Sequence, residues 1–458
     1  MTRIAGRAGI ALILALLLIA GMVFFTVEYV LNAEDWVVFS GSPHLYYGTN
    51  LGCGVVTDRS GVLLMDLRGG RQYSPDLELR MSTLHWVGDR KGSIYAPALA
   101  YYASSLAGFD ILNGVYSYGL TSGEAKLTLI GEAQKAALEA LGDRKGTVGI
   151  YNYKTGEILC AVTTPTYDPD NIPADIETNS AGVYEGVYLN RFTQSSYIPG
   201  SIFKIVTLAA ALEENPEIKD RTFNCEGYYT VGNEKITCEG VHKTQTLQQA
   251  FQNSCNSAFA QIALDLGGET LQRYAEQFGI TQPVTFDGIT TASGNFEAKD
   301  AYDVNVAWSA IGQYTDQINP CRFMTFIGAI AAEGRGVMPY LVDEISVGSS
   351  KTYSSETQTD DRILSVETAK QLQTYLKNTI TYLYGTERFS GLTVCAKTGT
   401  GQVGGDQKPN AMLAGFVADE EYPFAFIIAV ENGGYGGQVC APILEKVLQA
   451  CKTAVDAE

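Results

Sequence analysis

The most informative segment of the sequence is YIPGSIFKIVTLAAALEE, residues 197–214. From Ile202 to Leu212 nearly every residue is apolar, which predicts a helix that is buried on all sides. The polar exceptions Ser201, Lys204 and Thr207 lie three residues apart, so they share one face of that helix. We therefore expect a buried helix whose single polar stripe faces a cleft.

Ser201 and Lys204 form the only Ser-x-x-Lys pair in the sequence. A serine hydroxyl is a weak nucleophile until a base removes its proton, and a lysine is a base only when it is neutral. Burial, the positive end of a helix and a second cation would each lower the lysine pKa. The alternative is a serine cap beside a lysine whose stem reaches water. If Ser201 and Lys204 are a nucleophile and its base, we expect a second cation nearby.

Two later segments supply what such a site needs. Ser254-Cys255-Asn256 places a hydroxyl and an amide at the junction between two helical patterns, and Lys397-Thr398-Gly399-Thr400 offers a cation, hydroxyls and a glycine. Each has a decoy elsewhere in the chain. Ser293-Gly294-Asn295 lies in a loop rich in glycine and threonine, and Lys154-Thr155-Gly156 lies in a predicted turn. We therefore expect the decoys to lie outside the site.

The motifs Ser-x-x-Lys, Ser-x-Asn and Lys-Thr-Gly appear in the chain order of the penicilloyl serine transferases. From roughly residue 125 to 450 the sequence resembles the monofunctional class B penicillin-binding proteins. The resemblance implies a peptidoglycan D,D-transpeptidase that forms an acyl-enzyme with a stem peptide ending in D-Ala-D-Ala. It assigns catalysis and substrate binding to eight residues: Ser201, Lys204, Ser254, Asn256 and Lys397 for catalysis, and Thr398, Gly399 and Thr400 for the substrate.

The resemblance also implies particular partners and leaves alternatives open. Stem peptides and β-lactams would bind at the serine, and a multi-spanning membrane glycosyltransferase of the shape, elongation, division and sporulation group would be the protein partner. A D,D-carboxypeptidase or a β-lactamase would share the fold. The alternative outside the enzymes is a β-lactam sensor or a catalytically idle scaffold for wall synthesis.

Five β-rich runs predict an α/β fold with a five-stranded, mainly antiparallel sheet. The runs are GTVGIYNY, GEILCAVTT, LTVCAKTG, NAMLAGFVA and FAFIIAV. Short connections make the first two and the last three antiparallel, and the long segment between the groups must be a helical insertion. We expect helices on both sides of this sheet in a transpeptidase domain over residues 126–458, after a small α+β pedestal over residues 33–125.

Residues 8–27 carry no charge and predict one transmembrane helix, since twenty helical residues match the roughly 30 Å hydrocarbon thickness of a bilayer. Two arginines precede this segment and acidic residues follow it, which predicts a signal anchor with residues 1–7 in the cytoplasm and the rest outside. A cleaved signal peptide is the alternative, although its apolar core is normally only ~7–15 residues long.

The net charge of −18, from 32 basic and 50 acidic residues, argues against a nucleic-acid partner. Of the nine cysteines, Cys225 and Cys238 flank a strand, turn, strand pattern that would set them opposite each other across a hairpin. A zinc site is less favoured, because the histidines lack ligand spacing along the sequence. We expect no metal and no cofactor. The three histidines are His44, His85 and His242.

Overall fold

The structure is a computed structural model of the 458-residue chain. It describes residues 2–39, 46–47, 50–51, 54–68, 70–107, 109–110, 114–115, 122–389 and 391–457. The first helix runs from Thr2 to Val37, and its residues 4–27 are exposed. By length and composition the segment Ile4–Ala33 can cross a membrane, and it contains the predicted span at residues 8–27.

A six-stranded mixed sheet forms the centre of the pedestal region. In spatial order its strands are Ser350–Ser354, Val342–Val347, Glu124–Leu127, Val55–Thr57, Leu63–Asp66 and Gln72–Tyr73. The pair Val55–Thr57 and Glu124–Leu127 is parallel, and the other neighbours are antiparallel. The first two strands come from far beyond residue 125, so the sheet draws on both sides of the predicted domain boundary. Between residues 73 and 124 lie the short helices Leu77–Ser82, Leu84–Val87, Pro97–Tyr101 and Ala103–Ala107.

The second large sheet has five strands, all antiparallel to their neighbours, and confirms the five predicted runs. In spatial order its strands are Ile158–Thr164, Gly146–Asn152, Phe424–Val430, Asn410–Val417 and Val394–Gly401. The first hairpin therefore pairs with the last strand of the meander, and Val394–Gly401 lies at one edge. We call Val394–Gly401 the edge strand.

Helices cover both faces of this sheet, as the sequence predicted. Along Phe424–Val430, Ala425, Ile427 and Ala429 belong to one apolar core, and the alternate residues belong to another. Since successive strand side chains point to opposite faces, each face has its own core. Helices Gly131–Leu141 and Gly436–Val455 cover one face, and Pro320–Ala331 packs against the other.

The segment between the hairpin and the meander is mainly helical. Its α-helices are Arg191–Gln194, Lys204–Glu214, Leu247–Gln252, Asn256–Leu266, Gly268–Gln277, Asp303–Ser309, Pro320–Ala331 and Val366–Tyr384. Turns of 3-10 helix occur at Gly200–Phe203 and Pro216–Asp220. Short strand pairs are Thr222–Cys225 with Lys243–Thr246, Tyr228–Val231 with Glu234–Thr237, Thr285–Phe286 with Ile289–Thr290, and Arg335–Val337 with Thr359–Arg362. Two further strand pairs lie outside this segment, before the first hairpin. They are Tyr46–Tyr47 with Asn50–Leu51 and Phe109–Asp110 with Gly114–Val115.

The hairpin predicted between Cys225 and Cys238 is present, but the two cysteines do not face each other across it. The Cys238 N–H donates to the Gly227 carbonyl at 2.8 Å, so Gly227 occupies the opposite position. Cys225 instead ends a different strand, which pairs with Lys243–Thr246. Both thiols are free. The expected alignment is wrong because the chain changes partner strand between Cys225 and the hairpin.

Candidate active site

The predicted polar row begins on a tight turn rather than on the α-helix itself. Gly200–Phe203 is a 3-10 turn, and the α-helix starts at Lys204 and ends at Glu214. Ser201 is half-buried and borders a cleft, whereas Lys204 is fully buried beneath it. The Thr207 hydroxyl donates to the Ala310 carbonyl at 2.8 Å, so this third member of the row braces the helix instead of facing the cleft.

Lys204 Nζ is held by four oxygen atoms. It lies 2.6 Å from the Ser254 carbonyl and 2.7 Å from Asn256 Oδ1, and 3.1 Å from the hydroxyls of both Ser201 and Ser254. Because the two carbonyl oxygens can only accept, they fix two N–H groups and direct the rest of the amine at the hydroxyls. Burial lowers the pKa of Lys204 to about 8.

Ser254 lies in the turn between helices Leu247–Gln252 and Asn256–Leu266, which is the predicted helix junction. Its φ of +52° is in the left-handed region, which is costly for a residue other than glycine. The turn is fastened by the Cys255 N–H, which donates to the Ala250 carbonyl at 2.9 Å. In this conformation both the hydroxyl and the carbonyl of Ser254 reach Lys204.

Lys397 is the second cation that was predicted to lie near Lys204. This side chain is 1% exposed, and its Nζ donates to Ser254 Oγ at 3.0 Å and to the Thr398 carbonyl at 3.0 Å. Burial, together with the charge of Lys204, lowers the pKa of Lys397 well below its usual value. One hydroxyl thus bridges two buried amines, which favours a single proton on the pair near neutral pH.

Glycines bring the serine turn against the edge strand. A Cβ on Gly399 would lie 2.6 Å from the Pro199 carbonyl, and a Cβ on Gly200 would lie 2.3 Å from the Thr400 carbonyl. Both distances are too short for any larger residue without backbone movement. The close approach places Ser201 beside Thr398 and Thr400, which border the same cleft.

The cleft has a volume of 1230 Å³ and contains more than the motif residues. Ser201, Ser254, Asn256, Thr398 and Thr400 lie along it. Residues on its walls that the sequence did not single out include Thr237, Glu239, Trp308, Gln313, Tyr435 and Gln438. They come from separate segments with no shared motif, so only the folded chain brings them together.

Both decoy motifs lie elsewhere, as expected. Lys154-Thr155-Gly156 forms the turn of the first hairpin, where the Lys154 N–H donates to Asn152 Oδ1 and Gly156 has a φ of +98°. In the other decoy the Asn295 amide donates to the Thr315 carbonyl at 3.0 Å and fastens a loop.

A second cluster of chemically reactive side chains lies next to the serine turn. The donor atoms of Cys225, Cys238, His242 and Cys255 all fall within 4.8 Å of one another. The sequence made a zinc site the less favoured alternative because the histidines are scattered, but His242 lies beside three cysteines, one of which, Cys238, is only four residues earlier in the chain. Within the part of the chain that the structure describes, these four side chains form the one group that could hold a metal ion.

The arrangement at Ser201 suits transfer of an acyl group through a serine ester, because one buried amine can take the hydroxyl proton and the bridged pair can return it. Fold and site together have the geometry of a serine acyl transferase. Residues 146–449 match the family model described as the penicillin-binding protein transpeptidase domain, and the chain belongs to that family.

Curated relatives and solved structures agree with this assignment. The chain is 29% identical to the stage V sporulation protein D of Bacillus subtilis over 82% of this chain and 58% of that protein. It is also 29% identical to the peptidoglycan D,D-transpeptidase PbpA of Mycolicibacterium smegmatis, over 70% of this chain and 71% of that protein. The D,D-transpeptidase domain of a peptidoglycan glycosyltransferase from Eggerthella lenta superposes with a TM-score of 0.75 at 26% identity, covering 88% of this chain and 98% of that one.

Proposed function

We propose that the protein is a peptidoglycan D,D-transpeptidase that cross-links stem peptides through an acyl-enzyme on Ser201. The observation that carries the proposal is the bridge from Lys204 through Ser254 Oγ to Lys397, directly beside the Ser201 hydroxyl. The name of the Mycolicibacterium smegmatis relative supports the same substrate class. Ser201 would attack the penultimate D-alanine carbonyl and release the terminal D-alanine.

Substrate binding would prepare the base. Before it binds, the shared proton favours Lys204, which has two carbonyl acceptors at 2.6 and 2.7 Å. A terminal carboxylate held by Thr398 and Thr400 would raise the pKa of the nearby Lys397. The proton would then pass through Ser254 Oγ to Lys397, leaving Lys204 neutral. The neutral amine takes the Ser201 proton during attack, and the Ser254 path returns a proton to the leaving amine.

The edge strand would hold the donor peptide in place. None of the described residues pairs with its outer side in the sheet, so an extended peptide can add as a further strand next to Ser201. Asn256 would bind the amide of the stem peptide. The N–H groups of Ser201 and Thr400 would stabilise the oxyanion, and one such donor is typically worth ~10²–10³ in rate. Gly399 allows this approach of strand and serine turn.

The second half-reaction transfers the acyl group to an amine of another stem peptide. β-Lactams would acylate Ser201 in the same way, because their strained amide and carboxylate imitate the acyl donor, and this would make the protein an antibiotic target. Release to water would instead give a D,D-carboxypeptidase, which an analysis of products distinguishes from a transpeptidase.

The apolar N-terminal helix would anchor the protein in the cell membrane. The arginines before residues 8–27 favour a cytoplasmic N-terminus, with the pedestal and the catalytic domain of residues 126–458 outside the cell. A multi-spanning glycosyltransferase of the shape, elongation, division or sporulation group would contact the span and the pedestal and supply glycan strands for cross-linking.

Labelling with a fluorescent penicillin tests the proposal in the intact detergent-solubilised chain. We expect Ser201→Ala to abolish covalent labelling and the matched decoy variant Lys154→Ala to keep it. Covalent labelling of Ser201→Ala would overturn the assignment. Loss of labelling in Lys154→Ala with an unchanged melting temperature would overturn it as well. Incubation with stem-peptide substrates should then give cross-linked dimers with release of D-alanine.

A further inference from the structure

The cluster formed by Cys225, Cys238, His242 and Cys255 collects its donors from three local structures. Cys225 ends the strand Thr222–Cys225, and Cys238 and His242 lie in the loop after the hairpin. Cys255 is the N-cap of helix Asn256–Leu266. Cys225 and Cys255 are buried, and the other two are partly buried. The resemblance to known transpeptidases does not require a cysteine or a histidine at these positions. Cys255 occupies the variable middle position of the Ser-x-Asn motif, and the other three residues lie outside the motifs.

The distances within the cluster are those of a tetrahedral ligand shell. His242 Nδ1 lies 3.5 Å from Cys225 Sγ and 3.6 Å from Cys238 Sγ, and the sulfurs of Cys238 and Cys255 are 3.9 Å apart. Zinc bonds of about 2.3 Å to sulfur and about 2.0–2.1 Å to nitrogen place tetrahedral ligands about 3.8 Å apart for two sulfurs and about 3.5 Å for sulfur and nitrogen. The agreement covers every pair for which the structure gives a contact.

We propose that Cys225, Cys238, His242 and Cys255 bind one zinc ion in a closed, structural site. Thiolate and imidazole ligands in a tetrahedral arrangement select zinc among the common divalent ions. Four protein ligands leave no open position, so the metal would stabilise the fold rather than take part in acyl transfer.

The surroundings of the cluster are suited to thiolate ligands. The backbone N–H of Gly227 donates to Cys225 Sγ at 3.4 Å, and the Ser257 hydroxyl lies 3.3 Å from the same sulfur. Such contacts orient a ligand and compensate its charge. The shortest separation given for two of the sulfurs, 3.9 Å, is far from the roughly 2.05 Å of a disulfide bond.

The site is connected directly to the catalytic residues. Cys255 stands between Ser254 and Asn256, and the other three ligands belong to the segment 222–246 on the neighbouring side of the cleft. The Asn256 amide also donates to the Thr237 carbonyl at 2.8 Å, next to Cys238. A metal would therefore join the segment 222–246 to the Ser254 turn and hold Ser254 in its left-handed conformation. The four ligands are positioning residues, and none contacts Ser201.

Metal analysis of the purified full chain in detergent, without a polyhistidine tag, tests the proposal independently of any activity. We expect about one zinc per chain, and after exchange with Co²⁺ the visible bands of a tetrahedral site together with sulfur-to-cobalt charge transfer. Cys225→Ser and His242→Ala should lose the zinc and these bands. Cys321→Ser, which changes another buried free cysteine away from the cluster, should retain both.

A second measurement separates positioning from folding. Removal of zinc by a chelator should slow acylation by penicillin at least tenfold, and added Zn²⁺, but not Mg²⁺, should restore the rate. His242→Ala, at a partly exposed position, provides a variant that is expected to fold without the metal. Absence of zinc from the reduced, zinc-reconstituted wild type would overturn the proposal. So would a Cys238–Cys255 disulfide in its place, or full zinc content in both Cys225→Ser and His242→Ala.

Discussion

At the scale of single residues, the site depends on the position of one hydroxyl. Ser254 Oγ lies 3.1 Å from Lys204 Nζ and 3.0 Å from Lys397 Nζ, although the two amines belong to a helix and a strand that are far apart in sequence. Ser254 reaches both only because its backbone is held at a positive φ. The cost of that conformation is of order 1–3 kcal/mol, so the surrounding turn must hold it firmly.

The rate of acylation should depend on pH through the last proton of the lysine pair. Burial lowers the pKa of both amines, and that of Lys204 is lowered to about 8. Above that value the pair loses its remaining proton, and with it the cation that would bind a carboxylate. We expect the second-order rate constant for acylation by penicillin to fall as pH rises through about 8, as measured by stopped-flow fluorescence.

The melting temperature at each pH serves as the control for unfolding. A rate that keeps rising into the ordinary lysine range with the fold intact would show that reaction needs no protonated lysine at all, contrary to the shared-proton mechanism.

The order of three short motifs was enough to predict which residues meet at the site, once the loop or turn context of each decoy had excluded it. The walls of the cleft were not predictable in this way. Trp308, Glu239 and Tyr435 reach the cleft from loops and helix ends whose positions depend on tertiary packing. His242 has no second histidine near it in the sequence, and Cys225, Cys238 and Cys255 surround it only in the folded chain.

At the scale of secondary structure, the contact between the serine turn and the edge strand is made backbone to backbone. The edge strand pairs along its whole length with Asn410–Val417 on one side. The Cβ position of Gly399 points to one face of the sheet and lies against the Pro199 carbonyl there. The sequence predicted the strands from their β-rich runs and short connections. It did not predict the 3-10 turn at Gly200–Phe203, which packs against the edge strand.

Gly399→Ala should therefore damage both stability and acylation. Its Cβ would lie 2.6 Å from a backbone carbonyl, and overpacking of this kind typically costs about 1–3 kcal/mol. We expect the melting temperature to fall by several degrees and acylation by penicillin to slow at least tenfold. Differential scanning fluorimetry and the labelling rate measure the two effects.

Gly336→Ala is the matched control, since it also changes a strand glycine but its nearest contacts are at 3.7 Å. We expect that variant to label at the wild-type rate. Equal behaviour of the two alanine variants would contradict the importance of the close approach.

At the scale of the whole molecule, a single carboxylate joins three parts of the chain. Asp287 accepts hydrogen bonds from the Tyr102 hydroxyl at 2.9 Å and from the N–H groups of Leu341 and Val342 at 2.6 and 3.0 Å. Tyr102 belongs to the pedestal region, and Val342 begins the strand that extends its sheet. This contact links the pedestal to the segment that follows the helical insertion.

Asp287→Ala should weaken this link without touching the cleft. Loss of one acceptor leaves buried donors unpaired at a cost of about 1–3 kcal/mol. We expect a melting temperature lowered by a few degrees, with penicillin labelling at room temperature unchanged. Asp300→Ala, at an exposed aspartate, is the control and should leave the melting temperature in place. An Asp287→Ala variant as stable as Asp300→Ala would refute the structural role.

The pedestal sheet limits how freely parts of this protein can be exchanged. Two of its six strands, Val342–Val347 and Ser350–Ser354, come from within the residues that match the transpeptidase family. A chimera that replaced only residues 33–125 with the pedestal of a relative would leave Val342–Val347 paired to Glu124–Leu127, a strand whose first two residues would be foreign. Successful recombination, in the laboratory or between genes, should require residues 342–354 to travel together with the pedestal.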